Sequence, residues 1–180
     1  MSTSYLQVPQ NVRTKMKVEE RSKPLINAVL NQACTRHYWH DFNTPNPLVN
    51  HVHHRMQLQG YGDISALLIT PDHRAHQRYI EVKTERKFTG NLALETQSTL
   101  GRNNGWMHTC KADILLYCFL DRKLVYWMLL PKLKTWFNDN RGELQTRTLR
   151  DGKKLVQIYL GPIQRLIADG VIKRTFCFNN

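Results

Sequence analysis

Residues 62–84 decide how the chain folds, and they read GDISALLITPDHRAHQRYIEVKT. The run from 64 to 70 is almost continuously apolar, whereas residues 78–84 alternate between apolar and charged side chains. Both patterns are typical of β-strands. Between them, Pro71-Asp72-His73-Arg74 has the composition that favours a turn. The stretch is therefore predicted to form an antiparallel hairpin.

A turn centred near residue 73 places Asp63 opposite Lys83, because paired residues of a hairpin have a nearly constant index sum. Side chains alternate along a strand, so Glu81 and Lys83 point to the same face. Asp63 can join them from the neighbouring strand. We therefore expect two carboxylates and one ammonium on a single patch.

That set of side chains suits hydrolysis of a phosphodiester. Magnesium prefers oxygen ligands and is usually held by one or two carboxylates, with water and substrate phosphate completing its shell. Asp63 and Glu81 are the predicted metal ligands, together with the carbonyl oxygen of Val82, and Mn²⁺ is expected to substitute for Mg²⁺. Lys83 is expected to orient or deprotonate the attacking water, or to offset the developing charge. The alternative is an exposed strand on which opposite charges simply share a solvated face.

The rest of the chain is expected to surround this hairpin with helices and further strands. Apolar side chains recur at helical spacing over residues 25–33, and Pro24 fits only a first turn, so a helix is predicted to begin between residues 20 and 23. Residues 41–59 are interpreted as a loop. Strands are also predicted over 92–97, 123–130 and 154–160, and helical turns over 108–113, around 133–137 and over 162–168. The expected fold class is α/β, a single domain with a central mixed β-sheet flanked by helices.

Charge and composition narrow the class of partner. The 180 residues include 26 Lys and Arg against 14 Asp and Glu, a net charge of +12. Such a surplus favours a polyanion such as nucleic acid, with a basic surface kept for solubility, or binding to acidic membranes, as the alternatives. No apolar run approaches the ~20 residues of a membrane span, and no signal peptide is visible. The four scattered cysteines suit a reduced, cytoplasmic protein.

The residues around the acidic pair resemble the PD-(D/E)XK nuclease superfamily. The likeness covers about residues 20–130 and consists of Asp63, a hairpin-sized gap and Glu81-Val82-Lys83, then Gly90-Asn91-Leu92-Ala93-Leu94-Glu95, Gly105-Trp106 and Ala112-Asp113. It is similar to the pattern of small phage and mobile-element members. The resemblance implies a restriction-endonuclease-like core, magnesium dependence and cleavage of DNA.

The sequence contains one literal Pro-Asp pair of the kind that names the superfamily, but this pair is not the predicted metal ligand. Pro71-Asp72 falls in the predicted turn, roughly 20 Å along the strand from the partner of Glu81. Asp63, preceded by Gly62, is therefore predicted to serve in its place.

Further acidic residues are candidates for the same site. Glu20 is a candidate metal ligand near the start of the first helix, and Glu19 is a second choice, although the helix dipole also favours a first-turn acid. Glu95 is a candidate catalytic acid if its strand pairs next to that of Glu81. Asp113 is expected to cap or support the site rather than bind the metal.

The predicted nucleic-acid contacts are Lys87, Gln97, Arg102 and Trp106. Arg102 lies in a loop whose glycines let backbone N–H groups approach a phosphate. Trp106 would stack on a base or wedge a base step, although a tryptophan between a loop and a helix also serves as a packing anchor. The histidines at 37, 40, 51, 53 and 54 lack an acid or cysteine at ligand spacing, which favours phosphate contacts or loop polarity over zinc.

The sequence thus predicts a domain over residues 18–180, preceded by a basic arm over 1–17, that acts as a magnesium-dependent DNA endonuclease. One alternative is a structure-specific nuclease for junctions or flaps. Another is a non-catalytic DNA-binding protein on the same scaffold. The presence of all three residues Asp63, Glu81 and Lys83, called the trio below, argues against it. No feature of the sequence favours the third alternative, an interaction protein such as an inhibitor of a host defence. Cutting both strands with one site per chain would favour a homodimer.

Overall fold

The computed structural model describes residues 10–42, 55–57, 59–98, 103–151 and 154–178, with the side chains of the first helix described from residue 20 onward. The helices used below are α1 (Gln10–Ala33), α2 (Trp106–Thr109), α3 (Leu130–Asn140) and α4 (Ile163–Ala168). The strands are β1 (Arg36–Asp41), β2 (Ile64–Ile69), β3 (Ala75–Glu85), β4 (Asn91–Ser98), β5 (Asn103–Asn104), β6 (Ile114–Phe119), β7 (Leu124–Leu129), β8 (Thr146–Asp151), β9 (Lys154–Pro162) and β10 (Ile172–Cys177). Short 3₁₀ helices span Leu120–Arg122 and Arg141–Glu143.

A six-stranded mixed sheet, the first sheet, forms the middle of the domain in the order β1-β2-β3-β6-β7-β10. Strands β3 and β6 run parallel, and the other neighbours are antiparallel. All six residues of β6 are buried. A strand covered on both faces must be apolar throughout, which explains the uninterrupted sequence ILLYCF. The predicted α/β class and mixed sheet are confirmed.

The two faces of the first sheet are covered by different elements. Ile26, Val29 and Leu30 of α1 pack on one face, against strand residues that include Ile80 and Leu116. The other face packs against α3, α4 and strand β4, through the residues Leu133, Phe137, Ile163, Leu166, Leu92 and Leu94. The side chains of Glu81 and Lys83 alternate with those of Ile80 and Val82, so they lie on this second face.

A second, four-stranded antiparallel sheet in the order β5-β4-β9-β8 lies beside the first. The buried Tyr117 hydroxyl of β6 joins the sheets, because it donates to the Glu85 carboxylate and accepts from the Ala93 N–H of β4 at 2.9 Å. Burial raises the pKa of Tyr117 well above its usual value, and the nearby Glu85 carboxylate adds to the effect. The hydroxyl therefore stays protonated and can keep both contacts.

The β2–β3 hairpin forms as predicted, but its register differs by two residues, because Ile64 was expected to pair with Val82. Ile64 pairs with Ile80, so the hairpin is centred on Asp72 rather than on residue 73. The Thr70 N–H bonds to the Arg74 carbonyl, and His73 has a φ of 60°. A three-residue loop that ends in a left-handed residue is a common hairpin connection, and it sets the observed centre. The prediction that Asp63 lies opposite Lys83 is therefore wrong.

The helix boundary was also predicted wrongly. Helix α1 begins at Gln10 and contains Pro24 in its interior, where a first-turn position was expected. An interior proline loses one backbone hydrogen bond and costs about 3 kcal/mol, which the buried apolar face of the helix must offset. Residues 11–17 are thus helical, while residues 1–9 lie outside the described part of the chain.

Strands β1 and β8 are among the strands that had no sequence prediction, because their patterns are weak. Strand β1 reads RHYWHD, and its His37 and His40 point to opposite faces of the sheet. Strand β8 reads TRTLRD at the edge of the second sheet, with little apolar alternation. Most of the predicted loop at 41–59, with its histidines, lies outside the described residues.

Replacing Tyr117 by phenylalanine should test the join between the sheets. The change removes one hydroxyl and leaves a buried N–H and a half-buried carboxylate without their partner, so the free energy of unfolding should fall by about 1–3 kcal/mol. Urea unfolding measures it, with Tyr38→Phe as the control because Tyr38 is 64% exposed. Equal stability of the two variants would contradict the arrangement.

Candidate active site

Asp63 is held against the backbone of strand β3 by two hydrogen bonds, one from its N–H and one to its side chain. Its N–H donates to the Ile80 carbonyl, and its Oδ2 accepts from the Val82 N–H, each at 2.9 Å. The preceding Gly62 permits this approach: it has a φ of +91°, and an added Cβ would lie 2.7 Å from the Ile80 oxygen. The sequence Gly62-Asp63 therefore places a carboxylate beside the peptide between Glu81 and Val82.

Glu81 and Lys83 form an ion pair on the same face of β3. Lys83 Nζ lies 2.5 Å from Glu81 Oε1, and Glu81 is buried whereas the Lys83 side chain is 32% exposed. Burial lowers the pKa of Lys83, but the carboxylates of Glu81 and Asp63 more than offset it, so the pKa is raised. The ammonium form therefore prevails at neutral pH. The structure brings together the three residues that the sequence predicted.

Trp106 covers the ammonium group from α2. Its ring centroid lies 5.4 Å from Lys83 Nζ, which is the geometry of a cation–π contact. The preceding Gly105 packs on β4, since its N–H donates to the Thr96 carbonyl at 2.8 Å and an added Cβ would lie 2.4 Å from the Glu95 oxygen. Close contact between Gly105 and Glu95 thus sets the position of Trp106 over the trio.

Two cavities adjoin the trio, and Asp63 lines both. One has a volume of about 200 Å³ and is lined by Gln57, Gly60, Gly62, Asp63, Glu81, Trp106, Thr109 and Cys110. The other has a volume of about 100 Å³ and is lined by Glu20, Ser22, Lys23, Ile26, Trp39, Asp41, Asp63, Ile64, Val82 and Lys83. The acidic pair therefore faces space that a small polar group can enter.

The smaller cavity contains one predicted acid and one that was missed. Glu20 reaches it from the interior of α1, not from a first turn, and lies 2.7 Å from Lys23 Nζ. The same ammonium lies 2.9 Å from the Asp41 carboxylate, and the hydrogen bonds that it donates to Glu20 and Asp41 raise the pKa of Lys23 despite burial. Asp41 ends β1 opposite Ile64, next to Asp63. A prediction of β1 would have found it.

A second lysine, Lys134 of α3, was also missed. Its ammonium donates to the Cys110 carbonyl, and the Cys110 thiol donates to Glu81 Oε2 at 3.5 Å. Burial lowers the pKa of Lys134, although Glu81 partly offsets this, and it raises the pKa of Cys110 to about 12, with Glu81 adding to the rise. In the sequence, Lys134 resembles a solvent-facing lysine of an amphipathic helix, so the local pattern does not indicate that it belongs to the site.

The remaining candidates lie at varied distances from the trio. Glu95 is not on a strand beside Glu81, because β6 pairs with β3 and β4 belongs to the second sheet, so the condition for its predicted catalytic role is not met. Glu95 is connected to the site by its contact with Gly105, the residue before Trp106. Asp113 accepts the Tyr79 N–H at 2.8 Å and thereby supports β3, as expected of a residue outside the ligand set.

The predicted nucleic-acid contacts are also separated in space. Lys87 is exposed just after β3, and Gln97 lies opposite Asn104 and Gln157 in the second sheet. Arg102, and the Glu19 side chain among the acids, lie outside the described residues. Asp72 lies in the turn, 56% exposed, with Arg74 at 3.1 Å.

The donor set fits magnesium better than a structural metal. Among the described residues, no three His, Cys, Asp or Glu side chains lie close enough to enclose an ion. Magnesium does not need such a cage, because one or two carboxylates with waters and phosphate oxygens complete its shell. Asp63 and Glu81 supply two carboxylates from adjacent strands, so they fit a divalent cation of this kind.

Comparison with protein-family models, with curated proteins and with solved structures finds no match to this chain. In the described part of the chain, no helix has the length and apolar character needed to cross a membrane.

Replacing Gly105 by alanine should disturb the packing of α2 on β4 and thereby the position of Trp106. The new Cβ would lie 2.4 Å from the Glu95 oxygen and 2.8 Å from its Cγ, so β4 or α2 must shift. Overpacking of this kind costs about 1–3 kcal/mol of the free energy of unfolding, measurable by urea titration. Gly142→Ala is the matched control, since its Cβ would meet nothing within 4 Å. A Gly105→Ala variant as stable as this control would contradict the packing.

Proposed function

We propose that this protein is a magnesium-dependent DNA endonuclease with a restriction-endonuclease-like core, of the PD-(D/E)XK type. The observation that carries the proposal is the meeting of three charged groups between two cavities, one lined by Asp63 and Glu81 and the other by Asp63 and Lys83. Asp63 is fixed on the backbone of Val82, and Glu81 lies 2.5 Å from the Lys83 ammonium. Two carboxylates and a cation in such a place suit the charge changes of phosphodiester hydrolysis.

The surrounding fold supports the same proposal. The trio lies on an antiparallel hairpin whose second strand, β3, runs parallel to β6, and α1 covers the opposite face. A mixed sheet flanked by helices is also what the resemblance implies, so this arrangement supports the proposal.

Each residue has a proposed role in the reaction. Asp63 and Glu81 would hold the divalent cation, with the Val82 carbonyl as a further oxygen. When bound, the cation stabilises negative charge on the phosphoryl group and lowers the pKa of water. Lys83 remains charged beside Glu81, so it offsets negative charge at the reacting phosphate rather than removing a proton. Trp106 keeps that ammonium in place through its ring face.

The excess of basic residues supports a nucleic acid as the substrate. A net charge of +12 on 180 residues attracts a polyanion, and each phosphate contact releases counterions. Because Asp63 and Glu81 add negative charge at the cavity, a bound cation would also relieve their repulsion toward the phosphate.

Cleavage of supercoiled plasmid DNA tests the proposal. The wild-type protein should nick or linearise the plasmid with Mg²⁺ or Mn²⁺ and should be inactive in EDTA. Asp63→Asn and Lys83→Met should each lower the rate by roughly 10²-fold or more, because each removes charge from the reacting centre. Asp72→Asn is the matched control, since it removes an aspartate of the same hairpin in the exposed turn.

The outcomes separate the candidate functions. Loss of cleavage in both site variants, with full activity in the Asp72 variant, supports the nuclease. Retarded migration of the plasmid without cutting supports a DNA-binding protein on the same scaffold. Preference for a four-way junction or a flap over the plasmid favours a structure-specific nuclease.

A further inference from the structure

A cavity on the α1 face of the first sheet is not used by the proposed chemistry. It has a volume of about 320 Å³ and begins at Ala33, where α1 ends. Its lining comes from that helix end and from strands β2, β3, β6, β7 and β10, and it includes Leu68, Arg78, Ile114, Trp127, Leu129 and Arg174. We call this cavity the basic groove. Glu81 and Lys83 lie on the opposite face of the sheet, so the groove is separate from the trio.

The side chains on this face change from apolar to basic beyond the end of α1. On β3, Ile80 belongs to the core under α1, whereas Arg78, two residues earlier on the same face, lines the groove. On β10, Phe176 belongs to the same core, and Arg174, again two residues earlier, lines the groove. An arginine is rarely buried in a core without a charged partner. Positive side chains thus replace apolar ones where the helix ends.

The rest of the lining is mostly apolar and is partly open to solvent. Leu68 and Ile114 are buried, whereas Leu129 is 43% exposed and Trp127 is half-buried. Arg174 is exposed as well, so the groove has an opening beside Leu129. An apolar lining with a few charged groups, at a volume of roughly 300–1,000 Å³, is usual for a small-molecule site. The groove therefore fits one small ligand.

Arg78 and Arg174 approach the groove from opposite sides, because β6 and β7 lie between their strands. Burial raises the pKa of the Cys34 thiol just after α1, and the nearby Arg174 guanidinium partly offsets this rise, so Arg174 reaches toward the helix end. Among the described residues that line the groove, there is no Asp or Glu. His76 also lines it, but lies near the Asp72 carboxylate of the turn. The two arginines therefore make the groove electropositive and favour an anion inside it.

Trp127 gives the groove a flat aromatic surface beside one of these arginines. It pairs with Arg174 across β7 and β10, so the two side chains lie side by side. Phe176 supports the indole, with ring centroids 6.4 Å apart and planes tilted by 49°. Aromatic side chains stack on nucleic-acid bases, and the guanidinium fork matches phosphate oxygens. This combination suits a planar base joined to a phosphate better than an acidic peptide, which does not need the indole.

We propose that the basic groove binds a nucleotide unit, with its base stacked on Trp127 and its phosphate held by Arg78 and Arg174. A free nucleotide and a single-stranded nucleic acid both present this chemistry. The site goes beyond the proposed nuclease function and does not depend on the trio, which lies on the other face of the sheet.

Calorimetric titration of the full-length protein in EDTA tests the site, with thymidine monophosphate and a short oligodeoxythymidylate as the probes. Arg78→Gln and Arg174→Gln should each weaken binding of both probes by about 10-fold or more, because each loses a charge-assisted hydrogen bond to phosphate. Arg36→Gln is the matched control and should bind as the wild-type protein does. Arg36 is exposed and pairs with Ile69, on the opposite face of the same sheet.

The role of Trp127 has a separate readout. Trp127→Leu should weaken binding of thymidine monophosphate by about 10-fold, the size of one base-stacking contact, and should leave the affinity for deoxyribose phosphate unchanged because that compound has no base. Trp127→Phe keeps an aromatic face and should retain most of the affinity. A Trp127→Leu variant that binds thymidine monophosphate as tightly as the wild-type protein would contradict the stacking.

The possible results also distinguish this site from the proposed function. Tighter binding of the oligonucleotide supports the site with a single strand as its occupant, and equal binding of both probes supports it with a free nucleotide. The site is overturned if the wild-type protein binds neither probe, if both arginine variants keep full affinity, or if Arg36→Gln loses as much. It is also overturned if an oligoglutamate peptide binds through the arginines without Trp127. Absence of plasmid cleavage with normal nucleotide binding would overturn the nuclease function alone.

Discussion

The hydrogen bond from the Val82 N–H to Asp63 Oδ2 fixes the geometry on which the site depends. It ties a carboxylate that precedes β2 to the backbone of β3, between Glu81 and Lys83. A strand register is set in steps of one residue pair, and a slip of one residue would turn Glu81 and Lys83 toward α1. The close approach of Gly62 to the Ile80 carbonyl and the Asp63 N–H bond to the same oxygen hold this register.

The second sheet determines what surrounds the trio. Tyr117 ties β4 to the first sheet, and Gly105 rests on the Glu95 end of the same strand. Trp106 then covers the Lys83 ammonium, while the Cys110 thiol donates to the other carboxylate oxygen of Glu81 and Lys134 binds the Cys110 carbonyl. A buried carboxylate is costly unless it is paired. The surrounding elements therefore hold the buried Glu81 side chain in place.

Local pattern was enough to predict the hairpin, because the alternation in 78–84 and the Pro71-Asp72 turn are both short-range signals. It was not enough to predict the register, since the three-residue loop with His73 in the left-handed region is a matter of turn conformation. It also could not assign β4 to a second sheet, because strand pairing is decided by tertiary contacts such as that of Tyr117. Asp41 was not predicted as part of the site because the sequence pattern of β1 is weak. Lys134 was not predicted because it lies on an ordinary amphipathic helix.

Binding of Mn²⁺, followed by electron paramagnetic resonance without any DNA, tests most directly whether Asp63 and Glu81 share one cation. The account predicts one ion per chain for the wild-type protein, and an affinity at least about 10-fold weaker in Asp63→Asn and in Glu81→Gln, since each loses one of two carboxylate ligands. Binding by the double variant with the stoichiometry and affinity of the wild-type protein would contradict it.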